Sequence, residues 1–317
     1  MTVMRRLFLG AILGLAALLP APVTSAQSTT GGTLTIEVLD VGQGDSIFIR
    51  SPEGKTALID AGPTRDGAVQ LLRKQGVERI DLAVVSHHHS DHYGGMEQVV
   101  RGLSPRYFLA TNSHHATRMY LKLLETVESE GLAIIEPNDR TRRIELGSVD
   151  LFVFPQTPED RKDENNNSVG IRLVYGEFSM LLTGDSEARE RSAWLREHPD
   201  LIERTTILKL AHHGSRNGVD ARWLALTRPE LAVASLGRGN DYGHPHPETV
   251  SLLKRDGIPL LRTDLFGTIV IESDGHAWKL LSPKLATRGP PRQDDLDRVA
   301  AEVEAEPTTR PRTARAR

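Results

Sequence analysis

Residues 81 to 92 read Asp-Leu-Ala-Val-Val-Ser-His-His-His-Ser-Asp-His, an apolar β-branched run that ends in a cluster of imidazoles and a carboxylate. A short run of this kind forms a buried strand, so the polar cluster is delivered at a strand end. Gly94 and Gly95 follow and let the backbone turn sharply into the next helix. No other stretch constrains the fold as strongly. Groups crowded on one tight loop repel one another or go unsatisfied unless a cation gathers them, and a divalent metal does that. The pattern is His-x-His-x-Asp-His at His87, His89, Asp91 and His92. Its spacing lets His87 and His89 point to one ion while Asp91 and His92 reach a second. A solvated histidine-rich loop is the plainer alternative, and further ligand types at other strand ends argue against it.

Those strand ends emerge from the hydrophobic pattern. Residues 33–41 alternate apolar and polar side chains, and 46–50 and 55–59 form further short strands around the turn Pro52-Glu53-Gly54. Residues 66–74 read as a helix closed by Gly76. The second half repeats this style, with strands at 150–154, 169–175 and 178–182, a helix at 186–197 and a strand at 206–210. Short strands at 231–234 and 260–262, a helix starting at Pro247 and a hairpin across Ser273-Asp274-Gly275 complete it. Strands that alternate with helices while also forming hairpins predict a mixed α/β (α+β) fold, two sheets face to face with helices outside. Asp60 ends the run Ala57-Leu58-Ile59, Asp185 ends Met180-Leu-Leu-Thr-Gly184, and His212 and His213 end Ile207-Leu-Lys-Leu-Ala211. Alone, Asp185 would read as a cap for the helix after it; together with the histidine loop it reads as a ligand.

The two ends of the chain differ from its body. Residues 1–26 have a basic start at Arg5 and Arg6, an apolar run too short for a stable membrane span, and a small-residue site ending at Ala26. This is the layout of a signal peptide, and Arg5-Arg6 fits a twin-arginine signal as well as an ordinary one. Export to the periplasm or the exterior is the expected localisation, with no stable membrane insertion. From residue 284 onward Pro, Arg, Asp, Glu and Ala dominate, which predicts a mostly disordered charged tail with a short helix at 294–305. The remaining 32–283 is the size of one domain. There are no cysteines, so any metal is held by nitrogen and oxygen alone. The chain has 39 basic and 42 acidic residues; residues 1–26 contribute two basic groups and 284–317 eight basic against six acidic, which leaves the body at −7. Such a body has no global attraction for polyphosphate, and compensating positive charge would sit where divalent ions bind.

Several blocks then carry a resemblance. Leu39-Asp-Val-Gly-Gln-Gly-Asp-Ser46, Asn165-Asn-Asn-Ser168, Leu181-Leu-Thr-Gly-Asp185, Ala211-His-His-Gly-Ser215 and Tyr242-Gly-His-Pro-His-Pro247, with the histidine loop, run in family order over nearly the whole body. The chain resembles a metallo-β-lactamase-fold hydrolase, and more narrowly the soluble hydrolase domain of ComEC-type competence proteins. It departs from those proteins in lacking a polytopic channel region and in carrying an export signal, so DNA transport is not implied. The resemblance implies a four-layer αββα sandwich and one or two divalent ions, zinc or manganese. One ion would lie on His87 and His89, the other on Asp91 and His92, with Asp185 bridging. Of His212 and His213 the former, nearer the strand end, is the expected ligand. Many enzymes of this fold supply one more histidine before the bridging aspartate. Here Asn165 to Asn167 occupy that lead-in, with Asn167 the candidate, whereas His114 and His115 fall earlier. An amide oxygen or a water there would favour a harder ion such as manganese.

The implied chemistry is hydrolysis by an activated water, with no serine or cysteine nucleophile. Besides Asp91, the catalytic candidates are Asp60, which would orient a loop histidine or the water, and His244 and His246, which would steady a phosphate or protonate a leaving group. Lys209 and Arg238 read as surface bases. The expected activity is an exported metal-dependent phosphodiesterase or nuclease acting on a small-molecule or nucleic-acid phosphodiester. The alternatives are hydrolysis of a lactam, lactone or choline-phosphate ester, or a non-enzymatic binding module. Nothing in the sequence calls for an obligate protein partner.

Overall fold

The computed structural model describes residues 32–305, so the expected signal peptide lies outside the described residues. In chain order the strands of the first half are β1 (Leu34–Val38), β2 (Ile47–Arg50), β3 (Thr56–Ile59), β4 (Leu82–Val85), β5 (Tyr107–Ala110) and β6 (Ala133–Ile135). The second half contributes β7 (Arg142–Leu146), β8 (Val149–Val153), β9 (Ile171–Tyr175), β10 (Phe178–Leu182), β11 (Ile207–Lys209), β12 (Leu231–Ala234) and β13 (Leu260–Arg262). The chain then returns with β14 (Ile269–Ser273), β15 (Trp278–Ser282) and β16 (Leu285–Arg288). The helices are α1 (Gly67–Lys74), α2 (Ser90–Tyr93), α3 (Met96–Leu103), α4 (Arg118–Ser129), α5 (Ala188–Glu197), α6 (Ala221–Thr227), α7 (Pro247–Arg255), α8 (Thr263–Phe266) and α9 (Gln293–Ala305).

One sheet runs β16-β15-β14-β1-β2-β3-β4-β5-β6 and the other β13-β12-β11-β10-β9-β8-β7. Each is antiparallel on one side and parallel on the other. The parallel parts are β3 to β6 and β10 to β13, and parallel neighbours need crossovers, which the intervening helices supply. Alternation decides the layers. Leu34, Ile36 and Val38 of β1 face Leu173 and Met180 of the other sheet in the central core, while Phe48, Leu58 and Ala83 point outward onto α1, α3 and α4. Trp194 of α5, Trp223 of α6 and Leu253 of α7 cover the second sheet's outer face, opposite Leu181 and Leu208. The result is the expected αββα sandwich.

The tail departs from expectation. β16 pairs with β15, and α9 places Leu296, Val299 and Val303 on one stripe that is buried in the central core. Burying each such side chain is worth about 1.5–3 kcal/mol, which explains why so charged a segment packs on the core. The expected short helix at 294–305 is present as α9, the expectation of disorder fails for the residues before it from 285, and residues 306–317 lie outside the described residues. Arg238, read as a surface base, donates to the Val303 carbonyl at 2.8 Å and anchors this helix.

In a sheet with parallel strands, groups collect beyond the carboxyl ends of those strands. Asp60 follows β3, the histidine loop follows β4, Asp185 follows β10 and the His212-His213 pair follows β11. A hydrogen bond from Val169 N–H to the Ser86 carbonyl, 2.8 Å, joins the two halves at this edge.

Candidate metal centre

Asp60 is the centre's inner anchor. Its carboxylate is fully buried and accepts Ser86 N–H at 2.7 Å, Ser86 Oγ at 2.7 Å and His92 Nδ1 at 2.8 Å. With Nδ1–H given to Asp60, His92 would present its Nε2 lone pair to an ion held beside Asp185, whose Oδ1 lies 3.2 Å away. On the other side His213 Nε2 lies 3.2 Å from Asp91 Oδ2 and 3.5 Å from Asp185 Oδ2. Asp91, His92, Asp185 and His213 thus offer four ligand atoms all within 4.8 Å of one another. His92 Nε2 and Asp185 Oδ1 are buried and have no hydrogen-bond partner, because their close approach is not aligned as a hydrogen bond. Buried lone pairs converging on one point are costly by themselves. Two imidazole nitrogens and two carboxylates suit a divalent ion such as zinc or manganese, so the donor set fits the implied metal.

Electrostatics tell the same story. Burial opposes charge on His92 and His213, yet Asp185 and its neighbouring carboxylates overcome it, raising His92 well above the usual range and His213 to about 10. Burial likewise opposes ionisation of Asp185, and the positive His213 and His92 nevertheless hold it well below the usual carboxylate range. The carboxylates therefore demand positive charge at this point. His87 behaves oppositely: burial first, then His92, pushes it well below its ordinary value. Its Nε2 lies 3.1 Å from His89 Nδ1 and 3.9 Å from Asp185 Oδ2.

Three functional residues sit in the left-handed backbone region, Asp60 at φ 60°, His212 at 50° and His213 at 54°. Outside glycine this conformation costs about 1–3 kcal/mol per residue, and it gathers where a site over-determines the backbone. The strain swings neighbouring side chains apart, and it reverses the expected choice in the pair. His213 is buried and joins Asp91 and Asp185, whereas His212 is part-exposed, stands 3.9 Å from Asp185 and gives its Nδ1 to Glu187 at 3.0 Å. The asparagine choice also changes. Asn167 spends its amide on Asp160 and Glu164, while Asn165 lines the cavity with its Oδ1 buried and unpartnered. The backbones of Asn165 and Asp185 are tied together through Ser168, whose hydroxyl donates to the Asn165 carbonyl and accepts Asp185 N–H.

The cavity over these groups has a volume of about 340 Å³, and its wall includes Gln43, Tyr242 and His244. Burial first, then His213 and His212, lowers His244 to about 4. It is therefore neutral at pH 7, able to hold a substrate oxygen but not a resident proton donor. His246 does not reach the cavity; its Nδ1 accepts Arg216 N–H at 3.0 Å and its ring packs edge-on to His244. A second hollow of about 530 Å³ shares His89 and is lined by His114 and His115, well outside the ligand cluster.

Sequence reasoning missed Asp45 and misjudged Lys209. Lys209 is buried and donates to Asp45 Oδ2 at 2.8 Å, and Asp45 Oδ1 lies 3.2 Å from His213 Nδ1. A lone lysine inside the run Ile207-Leu-Lys-Leu-Ala211 was the available signal, because a cation in a central strand needs a buried partner. Gly44 explains how the Asp45 loop reaches the histidine loop within the first half. Its φ is +143°, and a Cβ there would run into the Asp91 carbonyl, so only glycine brings this loop onto the histidine loop.

Comparison with known proteins agrees with this architecture. Residues 39–238 match the family model of the metallo-beta-lactamase superfamily. ComE operon protein 3 of Bacillus subtilis (strain 168) is 27% identical over 253 residues, covering 74% of this chain and 32% of that protein. Competence protein ComA of Neisseria gonorrhoeae is 32% identical over 239 residues, covering 74% of this chain and 31% of that protein. The chain thus spans about a third of the length of these curated relatives. Among solved structures, the metallo-beta-lactamase fold protein YhfI from Bacillus subtilis superposes with a TM-score of 0.53 at 11% identity, over 76% of this chain and 100% of that one, a likeness of fold. The chain belongs to the metallo-beta-lactamase superfamily, and its sequence relatives there are ComEC-type competence proteins.

Proposed function

We propose that the protein is an exported metal-dependent phosphodiesterase of nuclease type. The observation that carries this reading is the convergence of Asp91, His92, Asp185 and His213, whose ligand atoms lie within 4.8 Å of one another. Divalent ions held there supply an activated water and offset charge on the substrate. His87 and His89 would hold one ion, Asp91, His92 and His213 the other, and Asp185 would contribute to both. Asp60 does not touch the substrate; it fixes His92 through Nδ1 and Ser86 through both its N–H and hydroxyl. Neutral His244 is placed to hold a substrate oxygen, since it lines the cavity. The competence relatives favour a phosphodiester over a lactam. Tyr242 adds to this, because it exposes 66% of its surface at the cavity mouth while its ring stacks on His244 at 5.7 Å. An aromatic face at the lip of an ion site suits a nucleobase, since base stacking is tolerant of sequence. The 1–26 signal belongs to the same proposal. Among the described residues no helix is long and apolar enough to cross a membrane.

The test strips the protein with a chelator, restores zinc or manganese, and offers bis-p-nitrophenyl phosphate, single-stranded DNA and nitrocefin. Metal-dependent turnover of a phosphodiester is expected, and Asp185→Asn should lower it by at least about a thousandfold, roughly 4 kcal/mol of barrier. Turnover of nitrocefin alone rejects the phosphodiesterase reading. Full activity of the stripped variant rejects the metal mechanism.

A further inference from the structure

We propose that Asp45, held by the buried cation of Lys209, is a positioning residue that fixes His213 as a metal ligand. The inference rests on the metal centre argued above. Asp45 and Lys209 are 164 positions apart and both are buried, and they meet where the first-half loop after β1 touches the end of β11. Lys209 Nζ donates to Asp45 Oδ2 at 2.8 Å and to the Leu210 carbonyl at 2.9 Å. This leaves Asp45 Oδ1 free to face His213, and it lies 3.2 Å from Nδ1.

His213 Nδ1 also lies 2.9 Å from the Ser235 carbonyl. The Ser235 carbonyl accepts, so Nδ1 carries the hydrogen and Nε2 is the atom that would give its lone pair to an ion beside Asp91 and Asp185, while Asp45 Oδ1 stands next to Nδ1 as a charge and not as a hydrogen-bond partner. The Ser235 carbonyl sets the ring's direction, and Asp45 adds a full negative charge behind it, which makes Nε2 a stronger donor. The arrangement mirrors the one across the site, where Asp60 stands behind His92. The two differ in what backs the carboxylate: Ser86 for Asp60, a lysine for Asp45. A buried carboxylate without a counter-charge is costly, so Lys209 is what allows an anion at this depth. Ser235 Oγ donates to the Gly44 carbonyl at 2.7 Å, fixing the Asp45 loop against the strand end that also holds His213.

A buried ion pair between two halves is also what a purely structural cross-link looks like. Asp45→Asn combined with Lys209→Met separates the two roles, because it removes both charges together, and such paired neutralisation is often tolerated by the fold. Stability is read by urea unfolding of chelator-stripped protein, and affinity by competition of zinc and of manganese against a chromophoric chelator. The expected result is a urea midpoint close to wild type with about 10–100-fold weaker binding of the ion at His213. Wild-type affinity in the double variant overturns the inference and leaves a cross-link. If that variant does not fold, Asp45→Glu, which keeps the charge but moves it, is read in the same way: weakened binding supports positioning and unchanged binding overturns it. A wild-type protein that binds no divalent ion overturns the metal centre itself, and this inference with it.

Discussion

At one corner of the site, Asp91, His92 and His213 close around Asp185, and each imidazole is backed at Nδ1 by a buried carboxylate, Asp60 or Asp45. At the other corner His87 and His89 meet nitrogen to nitrogen at 3.1 Å, the Ser86 hydroxyl stands behind His87 at 3.1 Å, and Asn165, its Oδ1 buried and unpartnered, lines the same cavity as His89. Backing carboxylates orient a ligand and raise its basicity. The difference teaches that the first corner is assembled before any ion arrives, while the second depends on the ion and on a weaker oxygen donor. Under the two-ion proposal, unequal affinity at the two corners is the expected consequence.

The largest effect should separate the adjacent histidines. His213→Ala is expected to lower kcat/KM by at least about a hundredfold, some 2.7 kcal/mol, and His212→Ala by less than about tenfold. Bound metal measured by elemental analysis should fall with the first substitution and hold with the second. Equal losses would dissolve the distinction between a preassembled corner and its surroundings.

A second test uses pH. Burial opposes charge on His213, and Asp185 and Asp45 overcome it, so its folded pKa of about 10 stands above the ordinary 6.5. A histidine raised in this way adds stability that is complete below 6.5 and fades as pH climbs towards 10. Chelator-stripped protein should therefore melt earlier at pH 9.5 than at pH 6.5. Metal-loaded protein should not follow it, because the ion replaces the protons and binds better as they leave. Parallel melting profiles with and without metal would show that the first corner is not where protons and ions compete.

The smallest effect concerns the weaker corner. Asn165→His places an imidazole where an amide now faces the cavity, and zinc should then bind there about tenfold more tightly, with a shift of preference away from manganese. Chelator competition with each metal measures it. An unchanged zinc-to-manganese ratio would remove Asn165 from the account of this corner.

Much of this was legible in the chain. The strands at 178–182, 231–234 and 260–262 match their apolar runs residue for residue, because buried parallel strands are continuous hydrophobic blocks bounded by glycine, proline or polar residues. Asp60, Asp185 and the histidine loop were found because each terminates such a block. α9 was harder. Its helix was expected, but within a charged tail, and what the structure adds is that Leu296, Val299 and Val303 at helical spacing are buried in the central core.

The sequence by itself determined the chemistry of the centre: nitrogen and oxygen ligands in a chain with no cysteine, spaced on one short loop at a strand end. Tertiary structure decided which member of each ambiguous group takes part. Asn165 rather than Asn167 and His244 rather than His246 reach the cavity, and of the two adjacent histidines that line it His213 rather than His212 clusters with Asp91, His92 and Asp185. Adjacent residues differ by a large rotation about the backbone, and the left-handed φ values at 212 and 213 are imposed by contacts across the fold. The pairing of Lys209 with Asp45 belongs to the same class, since a lysine in an apolar strand tells of a buried partner, and only the meeting of two halves of the chain says which one.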